Sequence, residues 1–172
     1  AFRLTTQTSN QDLHSGNFGN VSVNAAEKLI AIINKLIDPQ TQRPRVPTLQ
    51  RNIRPMTKEE KDWIDELPDP KDVPSPLYRN KRDYYQRLMF EPTLTVNGLK
   101  SGYQGPKVKT IIPGTATAVL DSRLVVDQCC EDIRADIEKL LKDELSTGQV
   151  KLQWMVGLNP TKVDSANPLV KP

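Results

Sequence analysis

Histidine is almost absent from this 172-residue chain: His14 is the only one. Cysteine is scarce as well, with Cys129 and Cys130 standing side by side. Neighbouring cysteines rarely make a structural disulfide, so a reducing, cytoplasmic setting is expected. One histidine and two adjacent cysteines far from it do not supply the about three protein ligands of a catalytic zinc site. No metal site and no cofactor are therefore expected within the chain. Aromatic residues are only 5% and hydrophobic residues 37%, so the core should be aliphatic and modest. No apolar run approaches the roughly 20 residues that cross a membrane, and no signal-peptide pattern opens the chain. The net charge of +3 is spread along the sequence and gives no footing for nucleic acid. Residues 98–110, "GLKSGYQGPKVKT", hold glycine and lysine without the spacing of a phosphate-binding loop. The first residue is Ala, not Met, as expected of an excerpt from something longer.

What is present alternates strands and helices. "FRLTTQT" (2–8) reads as a strand and "DLHSGNFGN" (12–20) as a glycine-bearing turn. A helix follows Asn24, a good N-cap with Glu27 at the capping-box spacing. Its apolar stripe is Ala26, Leu29, Ile30, Ile33, Leu36 and Ile37, and Asp38-Pro39 ends it. Residues 38–92 carry nine of the fourteen prolines and cannot supply central strands. Two short helices are expected there, one capped by Thr57 with Glu60, the other by Ser75 with Pro76 in its first turn. Trp63, Tyr84, Tyr85, Leu88 and Phe90 of this ordered insertion (39–91) need somewhere to pack.

"PTLTVNGLKSG" (92–102) and "TATAVLDSRLVV" (115–126) alternate as strands, with "YQGPKVKTIIPG" between them as a loop. Asp127 should cap a helix over 128–145, with a stripe of Cys130, Ile133, Ile137, Leu140, Leu141 and Leu145 and a stop at Gly148. "QVKLQWMVG" is the last strand. Without the insertion the order is strand, helix, strand, strand, helix, strand. The expected fold is α+β: a split βαβ (ferredoxin-like) two-layer sandwich, with a four-stranded antiparallel sheet, two helices on one face and a proline-rich helical insertion. Residues 1–160 should form one domain and 161–172 a tail leading elsewhere.

Asp12, His14 and Ser15 invite a nucleophilic triad, but neighbouring side chains on extended backbone point to opposite faces. On local pattern alone His14 is a turn residue. Larger stretches carry more. "DLHSGNFGNVSVNAAEKL" and "PTLTVNGLKSGYQGPKVKTIIPGTATAVLDSRLV" together resemble the dimerisation (lid) domain of the zinc metallopeptidase family of aminoacylase, carnosinase, acetylornithine deacetylase and bacterial dipeptidases. The length of the insertion is similar to the carnosinase and dipeptidase branch.

The resemblance implies several things. Two zinc ions and a glutamate base would sit on a separate catalytic domain, absent here, to which the tail would return. The lid would pair with a second copy, and His14 would reach in trans to the substrate carbonyl as it becomes an oxyanion. Arg123 matches the family arginine for the substrate carboxylate and would likewise be supplied in trans. Thr110 matches a position that contributes a polar side chain to the same substrate. Gly16 and Gly19 would shape the turn that delivers His14, and Gly98, Gly102 and Gly105 the loop near Thr110. Where relatives often carry a second glycine this chain has Asn20, which tolerates left-handed backbone. The parent would hydrolyse dipeptides or N-acyl amino acids, while this chain alone would hydrolyse nothing. The strand "PTLTVNGL" is the expected edge for homodimer pairing.

Two other readings compete. A stand-alone ferredoxin-like binding module of the RNA-recognition kind needs aromatics on its central strands, and "TATAVLDSRLVV" has none. A complete small enzyme built on His14 would need no flanking domain.

Overall fold

The structure, a computed structural model, describes residues 1–70 and 75–163. Its elements in chain order are β1 (Phe2–Gln7), β2 (Leu13–His14), α1 (Ser15–Phe18), α2 (Ala25–Leu36), α3 (Pro47–Gln50), α4 (Lys58–Glu66) and α5 (Lys81–Phe90). There follow β3 (Thr93–Ser101), β4 (Ile111–Ile112), β5 (Thr115–Arg123), α6 (Cys130–Leu140), α7 (Lys142–Ser146) and β6 (Val150–Trp154). Four strands form an antiparallel sheet in the order β3-β5-β1-β6, and β2 pairs with β4 in a separate two-stranded ladder. With the first strand inside the sheet and the second and fourth long strands at its edges, this is the split βαβ arrangement.

Alternation decides which face is buried. Phe2, Leu4 and Thr6 of β1 and Ala116, Ala118 and Leu120 of β5 point inward. Arg3, Thr5, Thr117 and Asp121 take the other face, which holds no aromatic side chain on these two central strands. The inward face packs against Ala25, Leu29, Ile32 and Leu36 of α2 and Ile133 and Ile137 of α6. Thr6 is fully buried and its hydroxyl donates to the Ala25 carbonyl at 2.8 Å, so the one polar group in this layer is satisfied. Asn24 caps α2 as expected: its Oδ1 accepts from the amides of Ala26 (2.9 Å) and Glu27 (3.5 Å). The Glu27 carboxylate takes the Asn24 side-chain amide, not its backbone, so a full capping box does not form. Phe2 and Trp154 meet edge to face at 5.2 Å, and the Met155 amide donates to the Ala1 carbonyl at 3.0 Å, so both ends of this pairing leave the sheet side by side.

Several boundaries differ from the sequence expectation. Ile30 is 49% exposed and Ile32 takes the buried position, because the helix phase is set by Leu29 and Leu36 facing the sheet. Asp127 does not cap α6: it sits at φ 75 with its carboxylate on the Arg54 guanidinium (2.8 and 2.9 Å), and Cys129 is the N-cap without a side-chain bond. The helix expected over 128–145 breaks at Leu141 into α6 and α7. Gly148, at φ 70, follows as the stop. The helix expected from Ser75 starts instead at Lys81, because Asn80 supplies the cap to the Asp83 amide at 2.9 Å. Most of the 161–172 tail, residues 164–172, lies outside the described residues, as do 71–74 within the insertion.

The insertion is tied to the body by Val46 and Leu49, which are buried in the core, and by polar contacts. The Thr48 amide and hydroxyl both donate to Asp136 (2.7 and 2.6 Å), and buried Gln128 donates to the carbonyls of Thr48 and Arg51 (3.1 and 3.0 Å). Tyr78, Tyr84 and Tyr85 pack ring edge to face. Trp63 and Leu88, expected inside, are 46% and 62% exposed. Thr57 and Glu60 form the expected reciprocal cap of α4.

Two outcomes follow. Leu29 is completely buried between α2 and the sheet, so Leu29→Ala should cost about 2–5 kcal/mol in denaturant unfolding; a loss under about 1 kcal/mol would contradict the packing. Burial pushes the Glu60 carboxyl up, but hydrogen bonds from Lys162 and the Thr57 amide outweigh it and hold the group below its usual 4.5. A carboxylate held low in the folded state contributes stability above its unfolded pKa and loses it as pH falls through the folded value. Glu60→Gln keeps the helix cap, so it should destabilise at neutral pH, with the gap from wild type closing in acid. A gap that stays constant through the acid range would contradict that assignment.

Candidate functional site

His14 sits where three pieces of chain meet. The segment before it turns back from β1, with the Thr8 amide on the Gly114 carbonyl (2.9 Å) and the Ser9 hydroxyl on the Gln11 carbonyl (2.6 Å). Asp12 then accepts the Gly114 amide at 3.0 Å. Leu13 and His14 pair with Ile112 and Ile111, and the Ser15 amide donates to the Thr110 carbonyl at 3.0 Å. This ladder was not expected from the sequence, where both partners read as loop; two-residue strands leave no alternation to detect. It brings His14 and Thr110, 96 positions apart in sequence, to one exposed rim. The Ala25 amide on the Pro113 carbonyl (3.1 Å) fixes the start of α2 to the same turn.

The imidazole caps α1. Its Nδ1 accepts the Gly16 amide at 2.8 Å, and Nε2 has no hydrogen-bond partner among the described residues. The triad arrangement does not form. Asp12 is committed to Gly114, and Ser15 is the first residue of α1. Gly19 closes the short helix onto the Ser15 carbonyl at 2.8 Å, and Asn20 takes the left-handed φ of 64° that its residue type tolerates.

The second glycine group divides. Gly102 is left-handed, at φ 61, beside Pro113. Gly105 lies under the Tyr103 ring, where a side chain would collide with the phenol oxygen. The Lys109 ammonium sits 4.4 Å from the centre of that ring, bracing the loop just before Thr110. Gly98 is not in the loop at all: it lies at the bulge of β3, opposite Val119, with open space around it.

Arg123 ends β5, 83% exposed, with its Nε 3.3 Å from Asp121, a solvated pair of little energetic weight. Thr115 and Arg123 bound a nine-residue strand. At the usual rise its ends are about 27 Å apart. His14 and Thr110 lie beyond the Thr115 end, so Arg123 belongs to the opposite end of the domain.

Two residues were missed from sequence. In the sequence Asp12 reads only as a triad candidate, and Gly114 carries no signal of a site role. A side chain at Gly114 would lie 2.6 Å from the Ser9 hydroxyl and 2.8 Å from the Gln11 carbonyl. Only its place in "PG", before a clear strand, signalled a tight turn.

The cysteines are both free. Their thiols donate to Glu131, whose carboxyl those bonds hold down to about 2, and the same bond with burial pushes the Cys130 thiol up, away from thiolate character. Among the described residues no group of three His, Cys, Asp or Glu side chains gathers as metal ligands. No helix of the described residues is long and apolar enough to cross a membrane.

Comparison with known proteins gives a consistent result. The model of the family described as "Peptidase dimerisation domain" matches residues 1–149. Human Beta-Ala-His dipeptidase is 24% identical over 170 residues, covering 92% of this chain and 33% of its own. A Cys-Gly metallodipeptidase of Candida albicans is 25% identical over 133 residues, covering 73% of this chain and 27% of its own. The chain thus spans about a third of the length of the curated relatives it matches. The crystal structure of an M20 family metallo-carboxypeptidase, Sso-CP2 from Sulfolobus solfataricus, superposes with TM-score 0.80 at 26% identity, over 98% of this chain and 39% of that one. Human carnosine dipeptidase 1 shares the fold, with TM-score 0.82 at 23% identity over 98% of this chain and 38% of that one.

If Asp12 anchors the loop, Asp12→Ala should lower stability by about 1–3 kcal/mol. It should also speed hydrogen exchange at the Gly114 amide. Unchanged protection at Gly114 would show that the bond does not hold the turn.

Proposed function

The chain belongs to the peptidase dimerisation domain family, and on that premise we propose that it is the dimerisation and substrate-binding lid of a zinc-dependent metallopeptidase that acts on dipeptides or N-acyl amino acids. Residues 1–160 form the lid and the segment after them returns to a catalytic domain that carries the metal and the base. The observation that carries the reading is His14: an exposed imidazole whose Nε2 is unpartnered among the described residues, held by backbone bonds on both sides. Such a donor suits a carbonyl oxygen that gains charge during hydrolysis, and donors of this kind are worth about 10²–10³ in rate. Thr110, on the same rim, offers its hydroxyl to the same substrate.

Arg123 suits a substrate carboxylate, since a guanidinium fork matches two oxygens. The resemblance alone has His14 and Arg123 arriving in trans together. The length of β5 argues otherwise, because one copy does not span both ends of a dipeptide with residues about 27 Å apart. The reading is therefore split: His14 and Thr110 serve the partner's site, and Arg123 serves the site of its own subunit. Each site is complete only in a dimer.

The dimer forms along β3. This strand is a sheet edge of nine residues, its outer half is exposed, and Val96 and Leu99 on it are 40% and 55% exposed. An unpaired edge of that length is a template for a second strand. A shallow groove beside it, between α2 and β3, is lined by Ile33, Ile37 and Val96 and extends the apolar contact.

Subunit mixing tests the split arrangement in the full-length enzyme. His14→Ala and Arg123→Ala homodimers should each lose about 10²-fold or more in kcat/KM. Mixed, they form heterodimers in which one site has both residues and the other neither, so activity should recover to about a quarter of wild type. No recovery, with heterodimers demonstrated, overturns the assignment of the two residues to different subunits.

A further inference from the structure

We propose that Gly16 is a positioning residue for His14, fixing which ring nitrogen carries the proton. The inference rests on the donor role given to His14 above and deepens it. A backbone amide can only donate, so at 2.8 Å from Gly16 N the His14 Nδ1 must accept through its lone pair. The one proton of the neutral ring then resides on Nε2, the atom that has no partner among the described residues. That tautomer presents N–H to a developing oxyanion. The opposite tautomer would present a lone pair and repel it.

Glycine at position 16 is required by the ring, not by the backbone. The glycines with positive φ among the described residues are Gly102 and Gly148, so the conformation at Gly16 is open to any residue. What occupies the space above its Cα is the imidazole: an added Cβ would lie 2.7 Å from Cε1 and 3.0 Å from Nδ1 of His14. The first is closer than such contacts are found and the second is tighter than nearly all of them, so alanine here pushes the ring off the amide. The segment that follows is anchored separately, by the Gly19 amide on Ser15 and by the Ser15 amide on Thr110, so the helix turn itself survives the change.

The test uses the full-length enzyme labelled with 15N-histidine, with His14→Asn identifying the His14 signals by difference. Long-range proton–nitrogen correlations, recorded where the ring is neutral, read the tautomer directly. The wild type should show His14 protonated on Nε2. Gly16→Ala should show a mixture of tautomers, with kcat falling toward the about 10²-fold loss of His14→Ala while KM changes little. The double variant should be no worse than His14→Ala, since Gly16 acts only through the ring. A wild-type ring protonated on Nδ1 overturns the proposal, and does so without any variant having to fold. So does a Gly16→Ala spectrum identical to wild type. A tautomer lost in Gly16→Ala with kcat unchanged leaves the positioning intact and instead overturns the oxyanion role of His14.

Discussion

The site depends on a ladder of two residues. Leu13 and His14 against Ile112 and Ile111 is too short to be stable alone, and it persists because its surroundings hold both strands in place. On one side Asp12 grips the Gly114 amide, and on the other the Ser15 amide grips Thr110. Pro113, between them, hands its carbonyl to the first residue of α2. The exposed rim that carries His14 is thus continuous, by hydrogen bonds, with the buried layer where Thr6 meets the same helix. An imidazole on an ordinary surface loop has many positions open to it. This one has few, and its placement draws on the stability of the whole sheet.

Periodic elements were legible in the sequence and aperiodic ones were not. The alternation in "TATAVLDSRLVV" and the aliphatic stripe after Asn24 located β5 and α2, because a strand or helix of nine residues or more repeats its signal several times. The order of those elements located the sheet topology. By contrast β2, β4 and α3 have two to four residues each and are made by contacts with distant chain, which no local pattern contains. The caps show the same division. Asn24 and Thr57 are read correctly because their targets lie two or three residues on. Asp127 fails because a distant guanidinium, Arg54, claims its carboxylate. His14 was legible only through the stretches around it, since a lone histidine beside an acid and a serine has several local readings. Its tether to Gly16, and the distance from it to Arg123, needed the fold.

The insertion shows how a proline-rich stretch becomes ordered without strands of its own. Among the described residues its three helices are short, and Trp63 and Leu88 stay largely outside. What fixes it to the body is Val46 and Leu49, buried in the core, together with a set of polar clasps: Thr48 on Asp136, Gln128 on the carbonyls of the Thr48–Arg51 turn, and Arg54 on Asp127. Each clasp bonds the α6 side of the domain. The insertion therefore braces the layer behind the sheet, and it also flanks the start of β3, where Gln42, Leu88 and Glu91 line a groove with Thr93, Leu94 and Thr95.

The pairing of Phe2 with Trp154 has a mechanical consequence. The first and last strands lie side by side, so residues 152 positions apart close the domain on itself. Because the two strands run antiparallel, tension applied between Phe2 and Trp154 loads the ladder at one end. Its hydrogen bonds then open one after another and do not share the load.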